Sequence, residues 1–513
     1  MKILDCTLRD GGYYTNWDFS KELVNNYLKS FNDLPADYLE IGYRSNPMNE
    51  YLGEYFYCPV YLLEEIRSLS KKKLVIILNE KDVRPEHVSA LLSPCIGLID
   101  MVRIALDPQY LGRALKLAAE IKKLNFEVGF NIMYMSKWKN YGGFLDEIKY
   151  VDEVADYFYM VDSYGGVYPG DVIETIKMVK ERTTCPIGFH GHNNMELGLI
   201  NSLTAIEHGA EIIDVTITGM GRGAGNLKTE LLLTALNAKE GLEVDFNTLS
   251  ILVDSFEKLQ KQYSWGSNLP YMVSGANSLP QKDVMEWVSR RFYSFNSIIR
   301  ALQNQKKGIK DNEQLPLFEP SEKFTNAIVI GGGPNGVQHA TGVLAYLEKN
   351  PDSCIIHASS KNASYYKSAN VPQFFCLVGN EGHRLEKIFT DLGGFNGKCV
   401  LPPFPRKMGT YIPATIRDNT FELDAIDFTS KLADTHTALA LKTSLQLNAK
   451  NIMIVGYDGY QDSSLSQQER SLSEENEYLF TAFQNHHPEI KIEAITPTNY
   501  KTLPVTSVYQ YLV

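Results

Sequence analysis

Asp10 sits in the run Thr7-Leu8-Arg9-Asp10-Gly11-Gly12, and His190 and His192 sit in Gly188-Phe189-His190-Gly191-His192-Asn193-Asn194. One carboxylate and two imidazoles suit a divalent cation and leave positions open for a substrate. Each run follows a short apolar segment that reads as a strand. Side chains two apart on a strand face the same way, so His190 and His192 are expected to aim at one point. The expected chemistry is that of an enzyme using a metal as a Lewis acid.

These groups need a scaffold. Up to about residue 247, apolar segments alternate with amphipathic ones. Strands are expected at Lys2–Cys6, Tyr38–Gly42, Leu74–Leu78, Met101–Ala105, Glu127–Ile132, Tyr157–Val161, Ile187–His190 and Ile212–Ile217, with helices between them such as Leu111–Leu124 and Asp171–Glu181. Eight strand–helix units in this length predict a (β/α)₈ (TIM) barrel over residues 1–247. Asp10, Glu40, Arg103, Asp162, His190, His192 and the glycine-rich run Gly219–Asn226 all fall at or just after strand ends, where barrel active sites lie. Residues 248–303 read as a helical lid, broken by Trp265-Gly266-Ser267-Asn268-Leu269-Pro270-Tyr271. Residues 304–326 read as a polar linker. Residues 327–513 read as a second α/β domain, with strands near Ala327–Ile330, Ser353–His357, Phe374–Val378 and Asn451–Val455.

The 513 residues, 44% apolar, are enough for at least two cores. A net charge of −11 offers no basic footprint for nucleic acid or an anionic membrane. No apolar run is long enough to cross a bilayer. The seven cysteines are scattered with no Cys-x-x-Cys pair, as expected of reduced thiols. The chain starts on an expected strand, leaving no room for a signal peptide, so a cytoplasmic location is expected.

The motifs together resemble the DRE-TIM metallolyases, the HMG-CoA lyase-like superfamily, and most of all its 4-hydroxy-2-oxovalerate aldolase type. The resemblance covers roughly residues 1–245. It rests on Thr7-Leu8-Arg9-Asp10-Gly11, Glu40-Ile41-Gly42, Val161-Asp162-Ser163, His190-x-His192 and Gly221-x-Gly223-x-Gly225-Asn226. It implies that Asp10, His190 and His192, with Asn226 as a ligand or just behind one, hold Mn²⁺, Mg²⁺, Co²⁺ or Zn²⁺. It further implies that a 2-oxo acid such as pyruvate chelates that metal and reacts with an aldehyde through an enolate. Arg9 would help stabilise the enolate, a contribution typically worth about 2.7–4 kcal/mol per well-placed donor. Glu40, Arg103 and Ser163 become candidates for substrate binding, with Glu40 alternatively orienting a ligand or Arg9, and Arg103 alternatively pairing with a barrel acid such as Asp162. Asp162 is a candidate catalytic carboxylate, or one that orients a ligand or Arg9.

One position departs from the family. Aldolases of this type carry a histidine base three residues after the metal-binding aspartate, where this chain has Tyr13, followed by Tyr14. A phenol, with an ordinary pKa of about 10, must be tuned by a nearby cation to act as a base. Tyr13 or Tyr14 is the expected proton-transfer group, Tyr271 from the lid is a third candidate, and simple aromatic packing is the alternative for the first two.

In the second domain, Gly331, Gly333 and Gly336 have Gly-x-Gly-x-x-Gly spacing after a strand, a pattern that can admit phosphate to a helix N-terminus. The acid expected on the ribose is replaced by Ser359-Ser360-Lys361, which argues against NAD and leaves NADP open. Asp458 is a candidate metal or ribose contact. The pattern loosely resembles Rossmann-like domains of the MptE-like pyrophosphokinase and family-42 sialyltransferase type, which implies a nucleotide or nucleotide sugar. Glycines that only pack a strand against a helix are the alternative.

The reading that results is a metal-dependent aldolase acting on a small 2-oxo acid and an aldehyde, compatible with a homo-oligomer. The alternatives are a Claisen-type acyltransferase using acetyl-CoA, and a scaffold barrel carrying a nucleotide-binding module.

Overall fold

The computed structural model describes residues 1–289, 293–406, 408–460 and 467–513. The chain forms two compact units, Met1–Met285 and Glu286–Val513. Among the described residues no helix is long and apolar enough to cross a membrane, and all seven cysteines are buried and unpaired.

In the first unit, β1 (Lys2–Asp5), β2 (Tyr38–Tyr43), β3 (Lys73–Asn79), β4 (Met101–Leu106), β5 (Glu127–Ile132), β6 (Tyr157–Asp162), β7 (Ile187–Gly191) and β8 (Ile212–Val215) close into a parallel TIM barrel. The expected strands match to within two residues at either end. The period-two alternation of strands stacks the barrel interior in layers. The apolar part of the interior packs Leu4, Cys6, Tyr38, Val75, Met101, Tyr157, Tyr159 and Ile212 together. The layer nearer the C-terminal ends is polar, with Glu40, Arg103, Asn131, His190 and Asp214 all buried. Gly188 makes room for it: a Cβ there would lie 2.3 Å from the ring of Tyr159, over which the Arg103 guanidinium sits at 4.1 Å.

Thr7–Thr15 forms a helix directly after β1, where the Arg-Asp-Gly-Gly run alone suggests a turn. Two glycines in a helix normally cost stability. Here they permit close packing, because a Cβ on Gly11 would meet the Met220 thioether and one on Gly12 would meet the Trp17 indole. Asn16 and Trp17 are both left-handed (φ 54° and 59°), and this turn brings the indole back to donate to the Arg9 carbonyl at 2.9 Å. The helix Phe246–Tyr263 packs its Phe256 against Tyr27 of the helix Lys21–Asp33. The shorter helix Leu269–Ala276 follows it within the same unit.

In the second unit, β9 (Asn326–Ile330), β10 (Ser353–His357), β11 (Gln373–Cys376), β12 (Lys398–Leu401), β13 (Thr420–Glu422), β14 (Asn451–Val455) and β15 (Lys491–Ala494) form one parallel sheet in the order β13-β12-β11-β10-β9-β14-β15. The strand order reverses between β9 and β14, the place where such sheets open a crevice. The stretch 304–326, read above as a linker, is mostly exposed, but it is pinned to the sheet at a few points. Phe318 is buried against Phe374 and Phe421, the Leu315 N–H donates to Glu422, and Leu317 bridges to the same residue. Its few apolar residues are what anchor it.

Candidate active site

Asp10 projects from the first turns of the helix Thr7–Thr15, His190 from the end of β7, and His192 from just beyond it. All three line one cavity of about 180 Å³ at the C-terminal ends of the barrel strands, shared with Arg9, Tyr13 and Ser163. That is an order of magnitude more room than a single water needs.

Both imidazoles are oriented through Nδ1. His190 Nδ1 lies 2.8 Å from Asp214 Oδ2, and His192 Nδ1 lies 2.8 Å from the Asp162 carbonyl oxygen. An acceptor at Nδ1 fixes the proton there and leaves the Nε2 lone pair free, the arrangement that metal-binding histidines use. The ring centroids are 4.9 Å apart, and His190 Nε2 is 3.6 Å from Asp10 Oδ2. Burial, with His190 beside it, lowers His192 to about 3, so its ring is neutral at ordinary pH. Burial works to raise Asp10, yet Arg9, the two histidines and Asn226 hold it below the usual carboxylate range. Asn226 Nδ2 donates to Asp10 Oδ2 at 2.6 Å, while its Oδ1 is buried without a hydrogen-bond partner. A carboxylate, two imidazoles each tied back through Nδ1 and an orphaned amide oxygen are a donor set that fits a divalent cation.

The tightest clustering of ligand atoms among the described residues is Cys6, His190 and Asp214, all within 4.8 Å. That trio is the poorer cation site. Asp214 already pairs with Arg103 at 2.6 Å, and burial together with Asp10 keeps the Cys6 thiol protonated. Asp214 acts instead as the group that orients His190.

Arg9 pairs with Asp10 and reaches Glu40 Oε2 at 2.7 Å, so its charge faces the cavity from a fixed position. Glu40, a candidate either for substrate contact or for orienting Arg9, takes the second role: it is wholly buried beneath Arg9, with its second oxygen 3.5 Å from Arg103. Arg103 is likewise wholly buried. Its Nε donates to Asn131 at 2.7 Å and its acid is Asp214, not Asp162. Both residues brace the polar layer rather than the cavity wall. The Ser163 hydroxyl oxygen accepts from the Tyr134 N–H at 2.8 Å. The Asp162 carboxylate accepts from the Gly166 and Val167 N–H groups, and burial pushes it up to about 7. It shapes the turn that carries its own carbonyl to His192.

Of the three tyrosines, only Tyr13 lines the cavity, with its hydroxyl 3.3 Å from that of Tyr43. Tyr14 points away, donating to the Gly223 carbonyl at 3.1 Å, and burial keeps it protonated. Tyr271 is buried beside Tyr14 and pushed up to about 12 by that burial. Three residues not singled out from sequence belong to the site: Asp214, Arg222 and Gln281. Asp214 carried a signal, as the one charged residue inside the apolar strand β8.

In the second unit, Gly331, Gly333, Gly336 and Asp458 do come together at the β9–β14 crevice. The Gly331 and Gly333 N–H groups donate to the Val455 and Gly456 carbonyls, and the Asn335 N–H donates to Asp458 Oδ2 at 2.9 Å. Gly336 packs on Gly456 and Asn362. The Gly331, Gly333 and Asn335 N–H groups are thus taken by the chain itself, the last by the Asp458 carboxylate. At the next strand end, Ser359 and Ser360 donate to the buried Glu381. Burial works to raise Glu381, but His436 and Arg384 lower it to about 2. An acid at that point is unfavourable to the 2′-phosphate of NADP.

The family model for HMGL-like proteins matches residues 107–255. A 4-hydroxy-2-oxovalerate aldolase of Geobacillus genomosp. 3 is 30% identical over 271 residues, spanning 49% of this chain and 74% of the relative. One from Geobacillus thermodenitrificans is 30% identical over 245 residues, spanning 46% and 69%. Among solved structures, the N-terminal domain of a candidate aldolase from Bacteroides vulgatus is 58% identical with a TM-score of 0.56, covering 59% of this chain and 100% of that one.

Proposed function

Because the chain belongs to the HMGL-like family, we propose that its barrel is a divalent-metal-dependent aldolase that joins or cleaves a 2-oxo acid and an aldehyde. The supporting observation is the convergence of Asp10, His190 and His192 in one cavity, with each Nδ1 tied back and each Nε2 left free. Asp10, His190 and His192 would hold the ion, with Asn226 beside them. Such an ion, when bound, would polarise the ketone of the 2-oxo acid and offset the negative charge of its enolate.

The chain's own residues do the rest. Arg9, fixed by Glu40 and Asp10, presents a charge that cannot be lost near neutral pH to the oxygen where negative charge builds. Tyr13, whose hydroxyl lies against that of Tyr43, is the candidate among the cavity's phenols for exchanging a proton with the aldehyde oxygen, standing three residues after Asp10. Asp214 and the Asp162 carbonyl hold the imidazoles still, so no reorganisation is needed when charge shifts.

The test is pyruvate release from a panel of 4-hydroxy-2-oxo acids by the full-length protein with Mn²⁺, with acetyl-CoA consumption followed in parallel. Turnover that stops on chelation and returns with metal supports the proposal. Thiol release from acetyl-CoA without retro-aldol turnover replaces it with the acyltransferase reading. No reaction of either kind leaves the barrel a scaffold.

A further inference from the structure

Arg222 occupies the middle of the glycine-rich loop that closes the barrel mouth. Two guanidinium groups line the cavity, Arg9 and Arg222. Arg9 is committed to two carboxylates. Among the described residues Arg222 makes no ion pair and no side-chain hydrogen bond; its nearest recorded neighbour is the ring of Tyr13, with the centroid 5.5 Å from Cζ. A half-buried cation on a cavity wall with no acid beside it is an incomplete pair. Its five N–H donors have a fixed fork geometry suited to a carboxylate or phosphate.

The loop also holds this cation in place. Gly219, Gly223 and Gly225 are all left-handed (φ 68°, 65° and 79°), a geometry that glycine adopts freely. Its carbonyls are taken by neighbours: Thr218 by the Trp265 indole at 3.1 Å, Gly223 by the Tyr14 hydroxyl, and Gly225 by the Asn193 N–H at 2.8 Å. A Cβ on Gly221 would lie 2.5 Å from Asn226 Nδ2, so the residue before Arg222 packs directly on the metal-site amide. The backbone that carries the arginine is therefore fixed beside the donor set, so no loop ordering adds to the cost of binding.

We propose that Arg222 reads an anionic group on the aldehyde half of the substrate, so that the acceptor is an aldehyde carrying a carboxylate or phosphate rather than a neutral one. This rests on the aldolase reading: the 2-oxo acid's own carboxylate would be held at the metal end, leaving Arg222 for the opposite end. The phenols of Tyr13, Tyr43, Tyr134 and Tyr164 line the same cavity and suit a short polar chain between the two ends.

Two measurements on the full-length Mn²⁺-loaded protein separate the layers of the argument. Solvent deuterium entering the methyl group of pyruvate tests the aldolase reading without any aldehyde present. Condensation is then compared for matched pairs: propionaldehyde against succinic semialdehyde, and glyceraldehyde against glyceraldehyde 3-phosphate. The wild type is expected to favour at least one charged member by tenfold or more in kcat/KM, about the least a single charge pair gives; which pair shows it distinguishes carboxylate from phosphate. In Arg222→Ala the charged substrate is expected to fall about 100-fold, the neutral one much less, and Arg222→Lys is expected to restore part of the preference. Deuterium exchange with no charge preference in the wild type overturns this inference alone. So does an equal loss on both members of each pair in Arg222→Ala. No exchange overturns the aldolase reading and this inference with it.

Discussion

Asp214 Oδ2 lies 2.8 Å from His190 Nδ1, and the same oxygen takes Arg103 Nη2 at 2.6 Å. One carboxylate oxygen thus couples an imidazole facing the cavity to a guanidinium wholly buried in the barrel. Asp214→Asn weakens the orientation of His190 and leaves Arg103 short of a charge. The expected result is a loss of metal affinity of about 10–100-fold, with a lower melting temperature. Isothermal titration with Mn²⁺ against the wild type checks it, and unchanged affinity would remove Asp214 from the site.

Metal binding and stability are linked. A cation bound only by the folded chain adds about 2.7 kcal/mol at a hundred times its Kd. Melting curves with Mn²⁺ and with chelator are expected to differ accordingly for the wild type. In Asp10→Asn and His192→Ala the difference should vanish. A metal-dependent shift that survives in both variants would place the cation elsewhere.

Tyr13 and Tyr14 are neighbours in sequence with opposite surroundings. Tyr13→Phe is expected to lower kcat by about 100-fold, the low end of general acid–base effects, while Mn²⁺ affinity is unchanged. Tyr14→Phe loses only its hydrogen bond to the Gly223 carbonyl, so its effect should fall on stability. Equal turnover in Tyr13→Phe and the wild type would eliminate the phenol as a proton-transfer group.

Asp5 accepts from the Thr7 N–H, the Tyr27 hydroxyl and the Thr229 hydroxyl beneath the site. Burial nonetheless pushes it up to about 6, from an ordinary value of 3.8. A carboxyl raised on folding contributes stability that is complete below pH 4 and is lost as pH climbs through 6. The unfolding free energy of the wild type relative to Asp5→Asn should therefore fall by up to about 3 kcal/mol between pH 4 and pH 7. Urea titrations at several pH values measure this, and a flat difference would mean the group is already ionised in the fold.

The barrel was legible because each strand is an apolar run followed by an amphipathic segment, and the His-x-His pair because strand alternation fixes both directions. What escaped notice depends on pairing across the barrel. Glu40 and Arg103, expected at strand ends, are each the third of six residues in β2 and β4, and only the closed sheet brings Asp214 from β8 beside Arg103. Tyr13 and Tyr14 could not be told apart because the sequence assigned no element to the run after β1; as the helix Thr7–Thr15, it turns neighbouring side chains about 100° apart. In the second unit β12, β13 and β15 are only four, three and four residues long, too short to show a period. The glycine spacing at Gly331–Gly336 was visible, but what those glycines serve is set by Asp458 and Gly456, far along the chain.

The Trp17 indole occupies the space that any side chain at position 12 would need. Enlarging Gly12 would evict the indole from its seat on the Arg9 carbonyl, loosening the backbone that presents Arg9 and Asp10. The two positions can therefore drift only as a pair, and a redesign of this rim that keeps the ligands but ignores Trp17 would forfeit their alignment.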